Sequence, residues 1–243
     1  MLIINADDYG RGRLATDRII ECFRKGSLTS ASAMVFMEDS ERAASLAPAS
    51  GLETGLHVNF TEKFNAKGVE ALLVDYHSRI AKFLTRHRFA SIFYHPTLRQ
   101  QFAYVFHTQL AEYDRLYNSA PSHFDGHHHM HLCANMLIGG LIAKGHKVRR
   151  NFSFRRGEKS GINRFYRSLV DRHITRKYRS TDYLFSLPSC HKNGGLDSVV
   201  QLARTSNVEL EAHPENPGDF EILAGDSFLR LISSVQTGGY ALL

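Results

Sequence analysis

The sequence has few cysteines and no long apolar run, and each shortage excludes a class of protein. Its three cysteines lie far apart, at positions 22, 133 and 190, and none forms a CxxC pair. A disulfide framework and a thiolate zinc site are therefore disfavoured. No apolar run approaches the roughly 20 residues of a membrane-spanning helix. No basic region precedes Leu2-Ile3-Ile4, which argues against a signal peptide, so we expect a cytoplasmic protein.

Positive charge is concentrated in one segment of the chain. Lys144 to Arg179 contains thirteen Lys or Arg and only two acids, Glu158 and Asp171, whereas the net charge of the chain is +6. The remaining residues are therefore net acidic. The segment is either a solvated basic surface or a surface for an anionic partner, such as a phosphorylated sugar lipid, a membrane or nucleic acid.

Strand-like and helix-like patterns alternate along the sequence, which predicts parallel strands joined by crossover helices. The predicted strands are 2–6, 31–36, 54–60, 123–131, 147–150, 183–187, 208–213 and 240–243. The predicted helices are 16–25, 40–46, 68–84, 98–117, 134–144, one between 187 and 208, and 226–235. At 243 residues, 43% of them hydrophobic, the chain suits one α/β domain spanning 1–243. We predict a distorted TIM-like (β/α) barrel with a helical insertion at about 61–120.

One segment, His123-Phe124-Asp125-Gly126-His127-His128-His129-Met130-His131, holds five of the fourteen histidines of the chain. On an extended strand, alternate side chains share a face, so Asp125, His127, His129 and His131 are predicted to line one side. Imidazoles beside a carboxylate suit divalent metals such as zinc, manganese or iron. The alternative is a run of core or solvated histidines. We interpret the segment as part of a metal site.

Other chemically active residues are predicted at the same rim, because parallel strands of a barrel end on one face. Asp7 and Asp8 end the first strand, His57 lies late in the third, and His213 follows the strand at 208–212. Adjacent carboxylates raise each other's pKa unless a cation intervenes, and strand alternation points them in different directions. This favours one metal ligand and one base. The alternative is a turn or helix N-cap pair.

His213 is followed directly by Pro214, which fixes the turn after it. A histidine that titrates near neutrality can protonate an amine leaving group. The alternative is a structural histidine at a strand end. One Asp and two His ligands would leave open positions on the metal, as a catalytic site requires.

Four motifs occur in chain order and together resemble those of the YdjC/ChbG carbohydrate deacetylase family, which includes the hopanoid-associated HpnK branch. They are Asn5-Ala6-Asp7-Asp8-Tyr9-Gly10, Thr54-Gly55-Leu56-His57, the histidine segment 123–131, and Glu211-Ala212-His213-Pro214. The resemblance spans almost the whole chain. It implies a metal-dependent hydrolase that removes an acetyl group from an N-acetylated sugar. The implied ligands of a divalent ion, Mg²⁺ or Zn²⁺, are Asp8, His57 and His127.

The resemblance also implies roles for neighbouring residues. Asp7 matches the general base that takes a proton from water, and His213 matches the general acid that protonates the departing amine. Asp125 matches an acidic position that orients a ligand imidazole. His129 and His131 match family histidines whose roles stay open.

The expected partner is an N-acetylated sugar or glycoconjugate, for which an anionic or lipid-linked form is one option. We also expect peripheral contact of residues 144–179 with an anionic membrane, a homo-oligomer, and no nucleic acid, since no RNA-binding aromatic motif or helix-turn-helix is present. Two other functions stay open. One is a metal-dependent phosphoesterase or nuclease acting on an anionic substrate, and the other is a basic binding module with a structural metal.

Overall fold

A computed structural model describes residues 1–154 and 161–243 of the chain. They form an α/β fold around one sheet of six parallel strands, in the order β4-β3-β2-β1-β6-β5. The sheet curls into a half-barrel with β4 and β5 at its two edges, so the predicted α/β class is confirmed but the strands do not close a complete barrel. The strands are Leu2–Tyr9 (β1), Ser30–Ala33 (β2), Thr54–Val58 (β3), Phe124–Gly126 (β4), Tyr183–Ser186 (β5) and Val208–Ala212 (β6).

Helices follow most of the strands and pack on the sheet. Those of the described residues are Arg13–Arg24 (α1), Ser40–Ser50 (α2), Ala71–Leu84 (α3), Arg99–Tyr117 (α4), Ala134–Gly139 (α5), Gly161–Lys177 (α6), Leu187–Lys192 (α7), Leu196–Ala203 (α8), Pro217–Ala224 (α9) and Asp226–Ile232 (α10). Short 3-10 turns occur at Ala90–Ile92, Pro96–Leu98, His127–Leu132 and Tyr240–Leu242. None of these helices is both long and apolar enough to cross a bilayer.

The core is built around β1, in which all eight residues are buried between β2 and β6. α1 covers it with Ile19, Ile20 and Cys22, a stripe at helical spacing. The helix stops because Gly26 adopts a φ of +79°, which suits glycine at the position after a C-cap. Between β3 and β4, α3 and α4 pack against each other, and α4 also contacts α2. These two helices are the ones predicted for the insertion at about 61–120.

One segment spans the gap between the edge strands without becoming a strand itself. Lys147 and Arg149 exchange backbone hydrogen bonds with Phe124 of β4, and the Ser153 N–H donates to Leu184 O of β5. Only isolated bridges form along it, Phe124 to Val148 and Lys147 to Arg179. The predicted strand at 147–150 is therefore wrong, because the segment leaves β4 after a few residues to reach the opposite edge.

Two other predicted elements also differ. The predicted strand at 240–243 is wrong: Tyr240–Leu242 is a 3-10 turn in which Tyr240 is buried. The helix predicted over 134–144 ends at Gly139, because Gly140 takes a φ of +61°. Of the predicted basic segment 144–179, residues 155–160 lie outside the described residues.

Candidate metal centre

The carboxyl ends of β1, β3 and β4 bring Asp8, His57 and His127 together. One ligand-type atom of each lies within 4.8 Å of the other two, and all three residues are buried. Asp8 Oδ1 is 3.0 Å from His127 Nδ1 and 3.4 Å from His57 Nε2. One carboxylate and two imidazoles form a donor set that suits a divalent ion, and three protein ligands leave positions for water or substrate. These residues therefore fit the metal that the sequence implies.

An irregularity in β1 places both adjacent carboxylates beside the same imidazole. β1 pairs with β2 up to Ala6 and again at Tyr9, with a register shift between them. Asp8 has a left-handed φ of 67°, which Asp tolerates better than most residues other than glycine. His57 Nε2 consequently lies 3.4 Å from Asp8 and 4.0 Å from Asp7. Asp7 and Asp8 nevertheless belong to different clusters, since Asp8 lies with His127, whereas Asp7 lies with Glu211 and His213.

The histidine segment does not continue as a strand. β4 ends at Gly126, and His127–Leu132 forms a 3-10 turn in which His128 and His129 have left-handed φ values of 53° and 57°. A Cβ at position 126 would lie 2.9 Å from the backbone nitrogen of His131, so the turn requires glycine there. The predicted alternation along the strand is wrong, because the chain turns sharply at the first histidine of the triplet.

Each candidate ligand histidine is backed by a carboxylate on its other ring nitrogen. His57 Nδ1 lies 2.9 Å from Asp125 Oδ1, and His127 Nε2 lies 3.0 Å from Glu62 Oε2. Such a carboxylate fixes the tautomer and orientation of a ligand imidazole. Burial opposes the charged form of His57, but Asp125 and Asp7 outweigh burial and raise its pKa. The structure thus brings Asp125 beside His57, and it also brings Glu62, which was not predicted, beside His127.

Arg149 is the buried cation of the centre and was not predicted as part of it. Its side chain is fully buried and donates from Nη1 and Nη2 to the two oxygens of Asp7, at 2.6 and 2.7 Å. Nη1 is also 2.8 Å from Asp125 Oδ2, and Nε donates to Glu209 at 2.7 Å. Burial alone would raise the pKa of Asp7 and Asp125, but the guanidinium reverses this and both pKa values are lowered. The sequence analysis included Arg149 in the basic segment 144–179, which was interpreted as a surface. For Arg149 this interpretation is wrong, because its side chain is buried.

Glu211 lies on β6 beside these charged side chains, and its pKa is shifted in the opposite direction to that of Asp7. It is 4% exposed, and its Oε1 lies 3.7 Å from Arg149 Nη1. Burial, together with the negative charge of Asp7, raises the pKa of Glu211 well above its usual value. Two neighbouring carboxyls with opposite pKa shifts are typical of sites that move protons.

His213 lies just beyond the end of β6 at the open side of the centre. Its backbone N–H donates to Asp219 Oδ2 at 2.8 Å, which fixes the turn. Its Nε2 is 3.9 Å from Asp7 Oδ2 and also 3.9 Å from Glu211 Oε1. The side chain is 34% exposed, whereas Asp7 and Glu211 are almost completely buried. His213 therefore lies between solvent and the two buried carboxyls.

The two remaining predicted histidines have different surroundings. His129 Nε2 lies 3.6 Å from Glu211 Oε1, and its ring meets Phe152 edge-on with ring centroids 4.6 Å apart. His131 Nε2 lies 3.0 Å from the backbone oxygen of Arg149, and burial lowers the pKa of His131 to about 4. A neutral His131 donating to this oxygen would hold the backbone that presents the guanidinium.

The residue pattern contained only weak signals for the residues that were missed. Arg149 is a charged residue inside a short segment predicted as a strand, and a charge in such a place is a hint of a buried ion pair. Glu211 stands in the motif that contains His213, but no role follows from that position. Glu62 follows β3 in a polar loop, and its contact with His127 depends on a turn more than sixty residues downstream.

The comparison with known families agrees with these motifs. The YdjC-like protein family matches residues 1–228 of the chain. The chain belongs to the YdjC family. This YdjC-family chain is 32% identical over 137 residues to a chitooligosaccharide deacetylase of Serratia marcescens, covering 54% of the chain and 51% of the relative. It is 27% identical over 247 residues to a human carbohydrate deacetylase, covering 89% and 75% respectively. The match thus spans about half the length of the Serratia protein.

A solved structure shares the fold of this YdjC-family chain. It is a crystal structure from Enterococcus faecalis V583 of a protein named for cellobiose-phosphate cleavage. The TM-score is 0.70 at 18% sequence identity, and the match covers 99% of this chain and 97% of the other. The fold of this chain is therefore also adopted by a protein of low sequence identity.

Proposed function

We propose that this protein is a metal-dependent hydrolase that removes the acetyl group from an N-acetylated sugar or glycoconjugate. The observation that carries the proposal is the buried Asp8, His57 and His127 cluster, with the buried Asp7 and the partly exposed His213 beside it. Amide hydrolysis needs a polarised carbonyl, a base for water and an acid for the leaving nitrogen, and these side chains supply the last two. Membership of the YdjC family and the names of its relatives agree with this chemistry.

Asp8, His57 and His127 would hold the divalent ion, for which we propose Mg²⁺ or Zn²⁺. When bound, such an ion polarises an amide carbonyl and lowers the pKa of a coordinated water towards about 7. Asp125 and Glu62 hold the two imidazoles in place through their far nitrogens, at 2.9 and 3.0 Å.

Asp7 is the proposed general base and His213 the proposed general acid. Arg149 holds both oxygens of Asp7, so the carboxylate stays ionised and fixed in direction. Asp7 Oδ2 lies 3.9 Å from His213 Nε2, which is too far for a direct hydrogen bond, so a bridging water would carry the proton from Asp7 to the imidazole. His213 then gives this proton to the departing amine, which returns the imidazole to its starting form. Glu211, which is 3.9 Å from the same imidazole and has a raised pKa, would hold a second proton there.

A phosphoesterase acting on an anionic substrate has less support within the described residues. Arg149, the cation at the centre, already faces the carboxylates of Asp7, Asp125 and Glu209. A phosphate entering this side would meet carboxylates and would not find an unpaired guanidinium. Contact of residues 144–179 with an anionic membrane, and assembly into a homo-oligomer, stay predictions.

The test compares acetate release with metal content. The metal-loaded enzyme should release acetate from N-acetylglucosamine derivatives, and Asp7→Asn should keep its metal while losing at least about 10²-fold in turnover. His57→Ala should lose metal by elemental analysis, whereas His87→Ala, at an exposed position, should not. Full turnover in Asp7→Asn would remove Asp7 as the base. Unchanged metal in His57→Ala, or release of phosphate in place of acetate, would refute the centre as proposed.

A further inference from the structure

Large apolar side chains are exposed in three parts of the chain: the 3-10 turn at Ala90–Ile92 with the residues on either side of it, α5 and α6. Each of these side chains is between 40 and 67% exposed, and they are Phe89, Ile92, Phe93, Ile138, Phe165 and Leu169. A single exposed apolar residue is common on a soluble protein, whereas a group of neighbouring ones marks an interaction surface.

The three parts of the chain adjoin one another. The Asn135 side chain on α5 accepts from the His95 N–H and donates to His95 O, both at 2.9 Å, which joins α5 to the chain just after the 3-10 turn. Ile138 follows Asn135 by about one helical turn. On the other side of α5, the ring of His173 on α6 donates a hydrogen bond to the backbone of Leu137. The exposed apolar side chains therefore belong to neighbouring elements.

α6 is amphipathic along the half that carries this group. Phe165 and Leu169 lie four residues apart and are exposed, and Arg172 follows three residues later and is also exposed. Val170 and Ile174, also four residues apart, are buried. Residues three and four apart share a face of a helix, so one side of α6 packs on the protein and the other presents apolar and basic side chains outwards.

The same surface carries positive charge. Four exposed arginines accompany the apolar side chains: Arg86, Arg88, Arg164 and Arg172. The sequence of 85–99, 134–148 and 161–177 contains a single acid, Asp171, which is engaged with Arg150 at 2.8 Å. Residues 155–160, outside the described part of the chain, have three basic side chains and one acidic one, so they do not offset this charge. We call the six apolar side chains and these four arginines the basic apolar face.

We propose that the basic apolar face binds the surface of an anionic lipid bilayer. The apolar side chains enter the boundary between headgroups and acyl chains, and the arginines contact lipid phosphates. Exposed apolar area combined with positive charge is what holds a protein at an anionic membrane. Binding to a bilayer does not depend on the proposed deacetylase activity, and no substrate is needed to measure it.

This surface differs from the basic segment 144–179 that the sequence predicted. Within that segment Arg149 is buried against carboxylates, and Arg150 is paired with Asp171, so neither cation is free for a lipid headgroup. The turn region 86–93 lies outside the segment and supplies two of the arginines and three of the apolar side chains. The face is thus assembled by the fold from separate parts of the chain.

Two other partners fit the basic apolar face less well. A second copy of the chain docked through the same face would bring arginines of both copies together, and the segments that form the face have no free acid to pair with them. A nucleic acid would satisfy the arginines but would leave the apolar side chains against a polar, hydrated backbone. An anionic bilayer accepts both kinds of side chain.

The test is sedimentation with sucrose-loaded vesicles made of equimolar phosphatidylglycerol and phosphatidylcholine, or of phosphatidylcholine alone. The protein should sediment with the anionic vesicles and at least about tenfold more weakly with the neutral ones. Binding should weaken as salt is raised from about 0.1 M to about 1 M, because the screening length falls from about 10 Å to about 3 Å. Absence of binding to the anionic vesicles, or equal binding to both kinds, overturns the proposal.

Charge reversal on the face should weaken binding to the anionic vesicles at least about tenfold in the double variant Arg88→Glu with Arg172→Glu. The matched control is Arg24→Glu with Arg204→Glu, which changes the net charge equally at two exposed positions outside the face. The control should lose much less binding. Equal losses in the two double variants would show that net charge alone is responsible and would refute the face.

The apolar contribution is tested in the same way. Phe93→Ser with Ile138→Ser should weaken binding at least about tenfold, since each loses apolar area that would leave water. Leu14→Ser with Leu242→Ser is the control, because these leucines are 53 and 65% exposed and lie outside the face. Equal binding in the two would contradict insertion.

Activity and association complete the comparison. All four double variants should keep the native far-ultraviolet circular dichroism and the native rate on a soluble N-acetylglucosamine derivative. Vesicle binding without acetate release would refute the deacetylase alone, whereas acetate release without vesicle binding would refute the membrane surface alone. Self-association of the native protein that the face variants abolish, with no vesicle binding, would assign the face to a second copy and overturn the proposal.

Discussion

Replacing Arg149 by Met should destabilise the protein strongly, and the loss should depend on pH. Arg149 is fully buried and lies 2.6 to 2.8 Å from oxygens of Asp7, Asp125 and Glu209. Removing one partner of a buried ion pair costs about 3–5 kcal/mol, because the other charge stays buried without compensation. Two ionised carboxylates, Asp7 and Asp125, lose their cation here, so we expect a loss at the upper end, about 5 kcal/mol at pH 8.

The pH dependence follows from the direction of the pKa shifts. In the native protein the pKa values of Asp7 and Asp125 are lowered, so their stabilisation is present at neutral pH and is lost as the pH falls through those values. Without Arg149, burial raises both pKa values, and the two carboxyls take up protons at higher pH. The difference between Arg149→Met and the native protein should therefore shrink between pH 8 and pH 5.

The measurement is urea unfolding at pH 8 and pH 5, followed by far-ultraviolet circular dichroism, with chelator in all samples. Arg79→Met is the control, because Arg79 pairs with Asp75 on an exposed face where its side chain is 58% accessible, and its loss should stay below about 1 kcal/mol. A loss for Arg149→Met that is equal at both pH values would assign it to packing. A loss no larger than that of Arg79→Met would refute the role of the buried cation.

Two further predictions concern single side chains. Glu62→Gln should weaken metal binding about 10- to 100-fold in a chelator competition, because the Glu62 carboxylate lies 3.0 Å from His127 and orients its ring. Glu38→Gln, at an exposed position, is the control and should bind metal normally. Equal metal affinity in the two variants would contradict this role of Glu62. Burial lowers the pKa of His77 to about 4, so the unfolded chain takes up a proton that the folded protein refuses, and stability falls with pH below about 6.5. Between pH 7 and pH 5 the native protein should lose about 2 kcal/mol more than His77→Phe, as measured by urea unfolding, and parallel losses would contradict this explanation.

The elements that could be predicted from the sequence are those whose pattern is local. β1, β3 and β6 have short apolar runs with a polar or glycine boundary, and α4 has a long helical period; all were found close to their predicted positions. The histidine segment misled for a physical reason. Its alternating residues fit a strand, but the backbone is left-handed at His128 and His129. The histidines therefore lie in a turn after β4 and do not alternate along an extended strand.

The candidate ligands lie together as predicted because the ends of parallel strands share a rim. The groups that support them could not be predicted, since each depends on contacts between distant parts of the chain. Arg149 meets Asp7 across 142 residues of sequence and Glu209 across 60. The number of basic residues in a segment does not distinguish a buried arginine from an exposed one. Only the fold shows that Arg149 is paired with buried carboxylates.

The left-handed backbone at Asp8 subjects this position to two separate requirements for amino-acid identity. The backbone, with a φ of 67°, accepts glycine, asparagine and aspartate most readily. The proposed chemistry accepts a short carboxylate 3.0 Å from His127 Nδ1. Aspartate alone satisfies both, because glycine and asparagine fit the backbone but do not supply a carboxylate. Chains that carry either residue here would be folded relatives without this centre, and a screen based on stability alone would not tell them from active ones.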